Sequence, residues 1–264
     1  MKVIDVSEHQ GVIDWEKVKT QIDGAILRVG YGNDEVLQDD KYFIRNANEC
    51  TRLGIPFGVY IYSYATNEFM VKSEANHVLR LVKNYKLAFP IYLDVEESGC
   101  EWYARAACEI FGNIIEENGY WCGVYANKYW WQNYLNGLER FTKWVAQYNS
   151  FCDYVKNYDM WQYTSSAHIN GIDGNVDMNE CYKNFPQELG RVNTPSGMNY
   201  KIGDKVRFST CYVSSSDPNS KAIPERLMLR NYGTITYIKV GAKNPYLLDD
   251  GLCWVNDGDI REKL

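Results

Sequence analysis

The sequence predicts an α/β fold: a closed barrel built on a parallel sheet, followed by a small all-β domain. Three observations predict it. Over roughly the first 180 residues, short apolar strands alternate with amphipathic helical stretches, and such alternation implies a parallel sheet. The number of strand–helix units favours a closed barrel over a short open sheet. After residue 200 the texture changes to short strands split by turns, the pattern of a small β-barrel.

In chain order, "KVIDVS", "GAILRVG", "FGVYIYSYA", "FPIYLDVE", "WCGVYA", "TKWVAQY" and "YDMWQYT" read as strands. Between them, "NEFMVKSEANHVLRLVKNY" and "EWYARAACEIFGNIIEENG" read as helices, the second stopped by Gly119. Asp14 in "GVIDWEKV" is a helix N-cap candidate and Asp173 a turn residue. "NFPQELGRVNTPSGMN" carries two prolines, two glycines and little periodicity, so it reads as a linker. The boundaries that result are a barrel over 1–185, a linker over 186–199 and a β domain over 200–264. In the last, Asp250-Gly251 signals a hairpin.

Composition excludes several classes. The 264 residues, 45% hydrophobic with 22 Tyr and 8 Trp, describe a folded protein. No apolar run approaches the roughly 20 residues of a membrane span, so no membrane insertion is expected. The opening "MKVIDVSEHQG" lacks a signal-peptide core, and the chain as written is not expected to use Sec export. Eight cysteines without a CxxC pair read as buried reduced thiols, and three histidines show no metal-ligand spacing. No metal or cofactor is expected. Up to Gly190 there are 17 Lys and Arg against 26 Asp and Glu, and from Arg191 onward 11 against 8. An acidic body with a mildly basic tail suggests separate jobs, the tail suited to an anionic surface. No Lys/Arg stripe points to nucleic acid.

The stretch "PIYLDVEESG" carries the chemistry. Alternation along a strand puts Tyr92, Asp94 and Glu96 on one face and Ile91, Leu93 and Val95 on the other. Asp5 follows the strand "KVI", and Asp177 closes the large domain. If each acid lies at a strand's C-terminal end, four carboxylates converge on one barrel mouth. Such clusters drive pKa values apart, so that one acid stays protonated and another charged. Cleavage of a glycosidic bond needs that division. On "GVYIYSY", Tyr60, Tyr62 and Tyr64 share a face, and in a barrel mouth they would suit sugar rings. The residues also admit a plainer reading: an acid pair capping a strand or paired with Arg28, and aromatic side chains filling a core.

"DVSEHQGVIDWEKVK", "GIPFGVYIYSYA", "PIYLDVEE", "TKWVAQY" and "MWQYTSSAHINGIDGNVDMN", in this order, resemble glycoside hydrolase family 25, the Chalaropsis-type muramidases of phage endolysins and bacterial autolysins. The resemblance runs from about residue 2 to 182. It implies a TIM-like (β/α)5β3 barrel and hydrolysis of the β-1,4 bond between N-acetylmuramic acid and N-acetylglucosamine in peptidoglycan. It makes Glu96 the general acid, with Asp94 its partner, stabilising charge or orienting the substrate N-acetyl group. Asp5 and Asp177 match the remaining acidic positions, and Tyr62, Trp144, Gln147 and Trp161 match lining positions. Where the family often has His in the third-strand motif, this chain has Ile61.

Residues 200–264 resemble the bacterial SH3-type modules appended to cell-wall hydrolases, which implies a Gram-positive wall polymer or peptidoglycan as partner. Tyr212, Tyr237, Tyr246 and Trp254 are its candidate contacts. Together these expectations describe an endolysin held in the host cytoplasm until a holin opens the membrane, then acting on the wall and lysing the cell. Met198 is placed to start a second product, extra copies of the small domain that would associate with the full chain. The alternatives are an N-acetylglucosaminidase or chitinase-type glycosidase, and a non-catalytic wall-binding protein. A chitinase would favour a longer DxxDxDxE strand motif.

Overall fold

The computed structural model describes residues 1–192, 199–200, 203–239, 242–249 and 251–264. Contacts divide the chain into two units, Met1–Gln187 and Glu188–Leu264.

In the first unit the chain runs β1 (Lys2–Val6), α1 (Trp15–Val18), β2 (Gly24–Tyr31), α2 (Phe43–Leu53), β3 (Phe57–Tyr62), α3 (Glu68–Val82), β4 (Ile91–Asp94), α4 (Glu101–Glu117), β5 (Cys122–Asn127), α5 (Lys128–Asn133), β6 (Thr142–Ala146), β7 (Met160–Ala167), β8 (Val176–Cys181). The eight strands close into a barrel in sequence order. Neighbours from β1 through β7 pair parallel, whereas β8 is antiparallel to both β7 and β1.

Caps and stops set the helix ends as the sequence implies. Asp14 and Asn67 accept from the backbone N–H three residues on, opening α1 and α3. Gly119, at φ 84, closes the chain after α4.

Each barrel strand has two buried faces with different content. Outward-facing Ile91, Leu93 and Val95 join Val59, Val71, Val78, Ala104 and Phe111 in one apolar layer between strands and helices. Burying a side chain of that size contributes about 1.5–3 kcal/mol. The inward face is aromatic: Trp144 packs edge-on against Tyr92, Tyr125 and Tyr60, with centroids 5.1, 4.5 and 6.2 Å away. An eight-stranded barrel is narrow enough to be filled by side chains, and these rings fill it. Gly123 on β5 makes room, because a Cβ there would lie 2.3 Å from the Tyr92 ring.

The segment read as a linker opens instead as a helix, α6 (Phe185–Val192). Asn184 accepts from the Gln187 N–H at 3.2 Å, and Phe185 is buried against Phe89 and Trp121. Pro186 therefore starts a helix, a position proline tolerates because its missing N–H has no partner to lose. The remainder of that segment through Met198, and with it the proposed internal start, lies outside the described residues.

The second unit has β9 (Lys205–Phe208), β10 (Thr210–Cys211), β11 (Ile223–Pro224), β12 (Tyr232–Ile238), β13 (Tyr246–Leu248), β14 (Cys253–Val255) and β15 (Ile260–Lys263). A five-stranded sheet has the order β14-β13-β12-β9-β15, beside the β10-β11 pair. Val206, Phe208, Ile235, Tyr246, Leu248 and Val255 form its core. The strands flanking Asp250-Gly251 pair antiparallel; Asp250 itself lies outside the described residues. All eight cysteines are free thiols, and Cys100 and Cys152 are only half-buried rather than buried.

Candidate active site

The strand ends gather the acids. Asp5, fourth residue of β1, sits in register with Asp177 across the β1–β8 pair. Asp94 ends β4, level with Tyr62 on β3 and Tyr125 on β5. Glu96 lies two residues further on. Asp177 reaches the mouth by a different route from the one expected. It is the second residue of β8, and because β8 runs antiparallel, its start rather than its end lies at the mouth.

All four acids hold protons more tightly than free carboxyls do. Asp5 is 4% exposed; burial pushes it up to about 8, with the Asp177 charge adding and hydrogen bonds from Asn179 and Gln162 opposing. Asp94, also buried, is raised well above the ordinary range by burial, then by Glu96 and Asp5, against a downward pull from Arg28. Its Oδ1 makes no hydrogen bond with the protein. Glu96 is half-buried, raised by burial and by the Asp177 charge. Asp177 is raised to about 6 by burial. Burial is the largest cause at each of the four, and like charges crowded in a low-dielectric site add to it at Asp5, Asp94 and Glu96.

Beneath them lies a hydrogen-bond network. Gln162 Nε2 donates to both Asp5 oxygens at 3.2 and 3.1 Å, and Asn179 Nδ2 donates to Oδ2 at 2.7 Å. The hydroxyls of Tyr125 and Tyr148 both donate to Gln162 Oε1, at 2.9 and 3.0 Å, which fixes the amide with its NH2 toward Asp5. Trp144 Nε1 donates to Asn179 Oδ1 at 2.7 Å. At the rim, Tyr62 donates its hydroxyl proton to Glu97 Oε2 at 2.9 Å, and its ring lies 5.1 Å from that of Tyr64.

The expected lining residues divide. Tyr62 is at the mouth. Tyr60 is deeper, edge-on to Trp144. Trp144, 1% exposed, is the floor under the site and not its wall. Gln147 turns to its own loop, donating to Asp153 Oδ1 and accepting the Asp153 N–H, and its carbonyl accepts from Trp161 Nε1 at 2.8 Å. Trp161 is 8% exposed and beside Tyr163. Arg28 bonds Asp40 and Glu8 at 2.8 and 2.9 Å, so it is not the ion-pair partner of the acids. Sequence reasoning missed Gln162, Asn179, Tyr125, Tyr148 and Glu97. The first two stand inside "MWQYT" and "VDMN", beside Trp161 and two residues after Asp177.

Among the described residues, no group of three or more His, Cys, Asp and Glu side chains is arranged to hold a metal ion. No described helix is long and apolar enough to cross a membrane. What the acid cluster can do is proton chemistry: Glu96, half-open to solvent and with its proton affinity raised, is placed to protonate a leaving oxygen, while a neighbouring carboxyl shares or carries charge.

In the second unit a cavity of about 370 Å³ is lined by Tyr212, Trp254, Leu247, Leu252, Cys211 and Cys253, among others. Of the candidate contacts there, Tyr246 and Tyr212 are buried, while Tyr237, 43% exposed, meets Trp254 edge-on at 6.0 Å.

The model of glycosyl hydrolases family 25 matches residues 4–172. The uncharacterized protein YegX of Escherichia coli O157:H7 is 26% identical over 191 residues, 67% of this chain and 67% of its own. The autolytic lysozyme of Clostridium acetobutylicum is 25% identical over 185 residues, 68% of this chain and 55% of its own. Among solved structures, the modular autolysin LytC of Streptococcus pneumoniae is 34% identical with a TM-score of 0.58, covering 67% of this chain and 46% of that one. The chain thus spans less than half the length of LytC. The catalytic domain of endolysin ply40 from bacteriophage P40 of Listeria monocytogenes is 26% identical with a TM-score of 0.63, covering 72% and 96%.

Proposed function

The chain belongs to the glycosyl hydrolases of family 25, and we propose that it is a muramidase cutting the β-1,4 bond between N-acetylmuramic acid and N-acetylglucosamine. The observation that carries this reading is the meeting of Asp5, Asp94, Glu96 and Asp177 at one barrel mouth, with Glu96 half-open and its affinity for a proton raised by burial and the Asp177 charge. Glu96 donates that proton to the leaving sugar oxygen. Asp94, whose Oδ1 has no bond with the protein, orients the N-acetyl group or faces the developing oxocarbenium charge. Asp5 and Asp177 tune both by repulsion, and Tyr62 lines the cleft.

The finer assignment is an endolysin whose barrel is the (β/α)5β3 type. Residues 200–264 are its SH3-like module for the wall polymer of a Gram-positive host, with the cavity beside Trp254 as a candidate seat. The enzyme waits in the host cytoplasm for a holin, and copies of the small domain started at Met198 associate with it. The names of the ply40 and LytC neighbours support a wall substrate and are consistent with either a phage or a bacterial source.

The test is a digest of purified Gram-positive peptidoglycan, borohydride-reduced and read by mass spectrometry. New reduced muramic acid ends are expected. Reduced glucosamine ends would make the enzyme a glucosaminidase, and no new ends with wall binding retained would make it a binding protein.

A further inference from the structure

The barrel exposes seven aromatic side chains: Tyr64, Phe69, Trp102, Tyr129, Tyr148, Phe151 and Tyr182. Five of them are not scattered. Tyr64 and Tyr148 each lie two residues past the end of a strand, β3 and β6. Phe69, Trp102 and Tyr129 are each the second residue of a helix, in the consecutive helices α3, α4 and α5. A chain leaving the C-terminal end of a parallel strand begins its next helix on that same face, so all five stand on the side of the barrel that carries the acids.

The helix starts do not need these rings as caps, although Trp102 meets Tyr103 and Tyr129 meets Tyr134 with centroids 5.3 and 5.9 Å apart. Asn67 and Asn127 already cap α3 and α5 through the N–H groups of Met70 and Trp130, and Glu101 accepts from the Gly99 N–H before α4. An aromatic ring at the second helical position makes no cap, and Phe69, Trp102 and Tyr129 leave 79%, 73% and 62% of themselves in water. A single exposed ring is ordinary, whereas a set gathered on one face marks a binding surface. The set also reaches the cleft: Tyr148 anchors its hydroxyl on Gln162 beneath Asp5, and Tyr64 lies against Tyr62.

We propose that Phe69, Trp102 and Tyr129 form an outer track that holds the glycan strand beyond the sugars flanking the cut. The inference rests on the muramidase reading and extends it from the bond cleaved to the length of polymer held. The chemistry suits a β-1,4-linked pyranose chain, whose rings present C–H faces to aromatic planes and hydroxyls to water at their edges. α3 and α4 pack on each other, and packed helices stand about 8–10 Å apart, a step comparable to a disaccharide, so Phe69 and Trp102 can meet successive repeats of a strand running along the rim, with Tyr129 following at the start of the next helix.

The test uses the full chain carrying Glu96→Gln, so that glycan is bound and not cut. Dissociation constants are measured by calorimetry for a peptidoglycan tetrasaccharide and for long soluble glycan chains freed of peptide. The parent should prefer long chains. F69A/W102A/Y129A should lower that preference by about tenfold, the worth of one to two ring contacts. Tyr182→Ala, an exposed ring that follows β8 at the opposite end, should leave it unaltered. An unchanged preference in the triple variant, or no preference in the parent, overturns the track and leaves the muramidase standing. Failure of the parent to bind either length overturns both.

Discussion

Replacing Asp5 by Asn should stabilise the protein at neutral pH and not in acid. Asp5 is held up to about 8 in the fold against 3.8 in the free side chain. A folded-state value above the unfolded one means the native state keeps a proton that the unfolded chain has lost, so stability falls as pH rises between those values. Integrated, the Asp5 carboxyl costs the fold about 5 kcal/mol at pH 7.5 and about 1 kcal/mol at pH 4.5. Asparagine removes that cost but puts an amide where Gln162 and Asn179 both donate. The Gln162 amide cannot simply turn over, because Tyr125 and Tyr148 hold its oxygen. One donor is left unpaired, for about 1–3 kcal/mol at either pH. The variant should therefore gain about 2–4 kcal/mol at pH 7.5 and lose up to about 2 at pH 4.5. Urea unfolding followed by tryptophan emission reads this out, since seven of the eight tryptophans lie in the first 187 residues. The difference of about 4 kcal/mol between the two pH values does not depend on the hydrogen-bond term. A change in stability that is the same at both would refute the electrostatic account of the cluster.

Glu96→Gln should cut turnover about 10²–10⁴-fold with circular dichroism unaltered; a rate within about tenfold of the parent would reject Glu96 as the acid. Asp177→Asn removes a charge that raises Glu96, so the alkaline limb of kcat/KM should move to lower pH, and an unmoved limb would sever that link. A double-mutant cycle of Tyr62→Phe and Glu97→Gln should show a coupling of about 1 kcal/mol in stability, the charge-assisted bond discounted for its exposure. Coupling near zero would mean that Glu97 does not position Tyr62.

The sequence discloses the strand faces well, because Ile91, Leu93 and Val95 against Tyr92, Asp94 and Glu96 is a period of two that both sides of a barrel wall enforce. It discloses β8 poorly. "VDMNEC" is rich in residues that disfavour strands, and it is a strand because Asp177 and Asn179 face the acids inside while Val176 and Met178 face the helices. The same blindness made Trp144 a lining residue. Depth within a barrel is not periodic, so a ring on the inner face reads alike at the mouth and at the floor. The linker expectation fails locally: Pro186 reads as a breaker in the sequence, whereas the Asn184 side chain ahead of it accepts the Gln187 N–H and lets the proline stand in the first turn of a helix.

The amides around Asp5 also set a direction for protons. Every bond reaching it from below comes from a nitrogen that donates and cannot take a proton back: Gln162 Nε2 and Asn179 Nδ2. The floor is thus an insulator. A proton that leaves Asp5 has only the upper side, where Asp177 and Glu96 raise its affinity, so exchange between this buried acid and bulk water is routed through the mouth. The proton that Glu96 gives to a leaving oxygen is therefore replaced from the mouth and not through the floor.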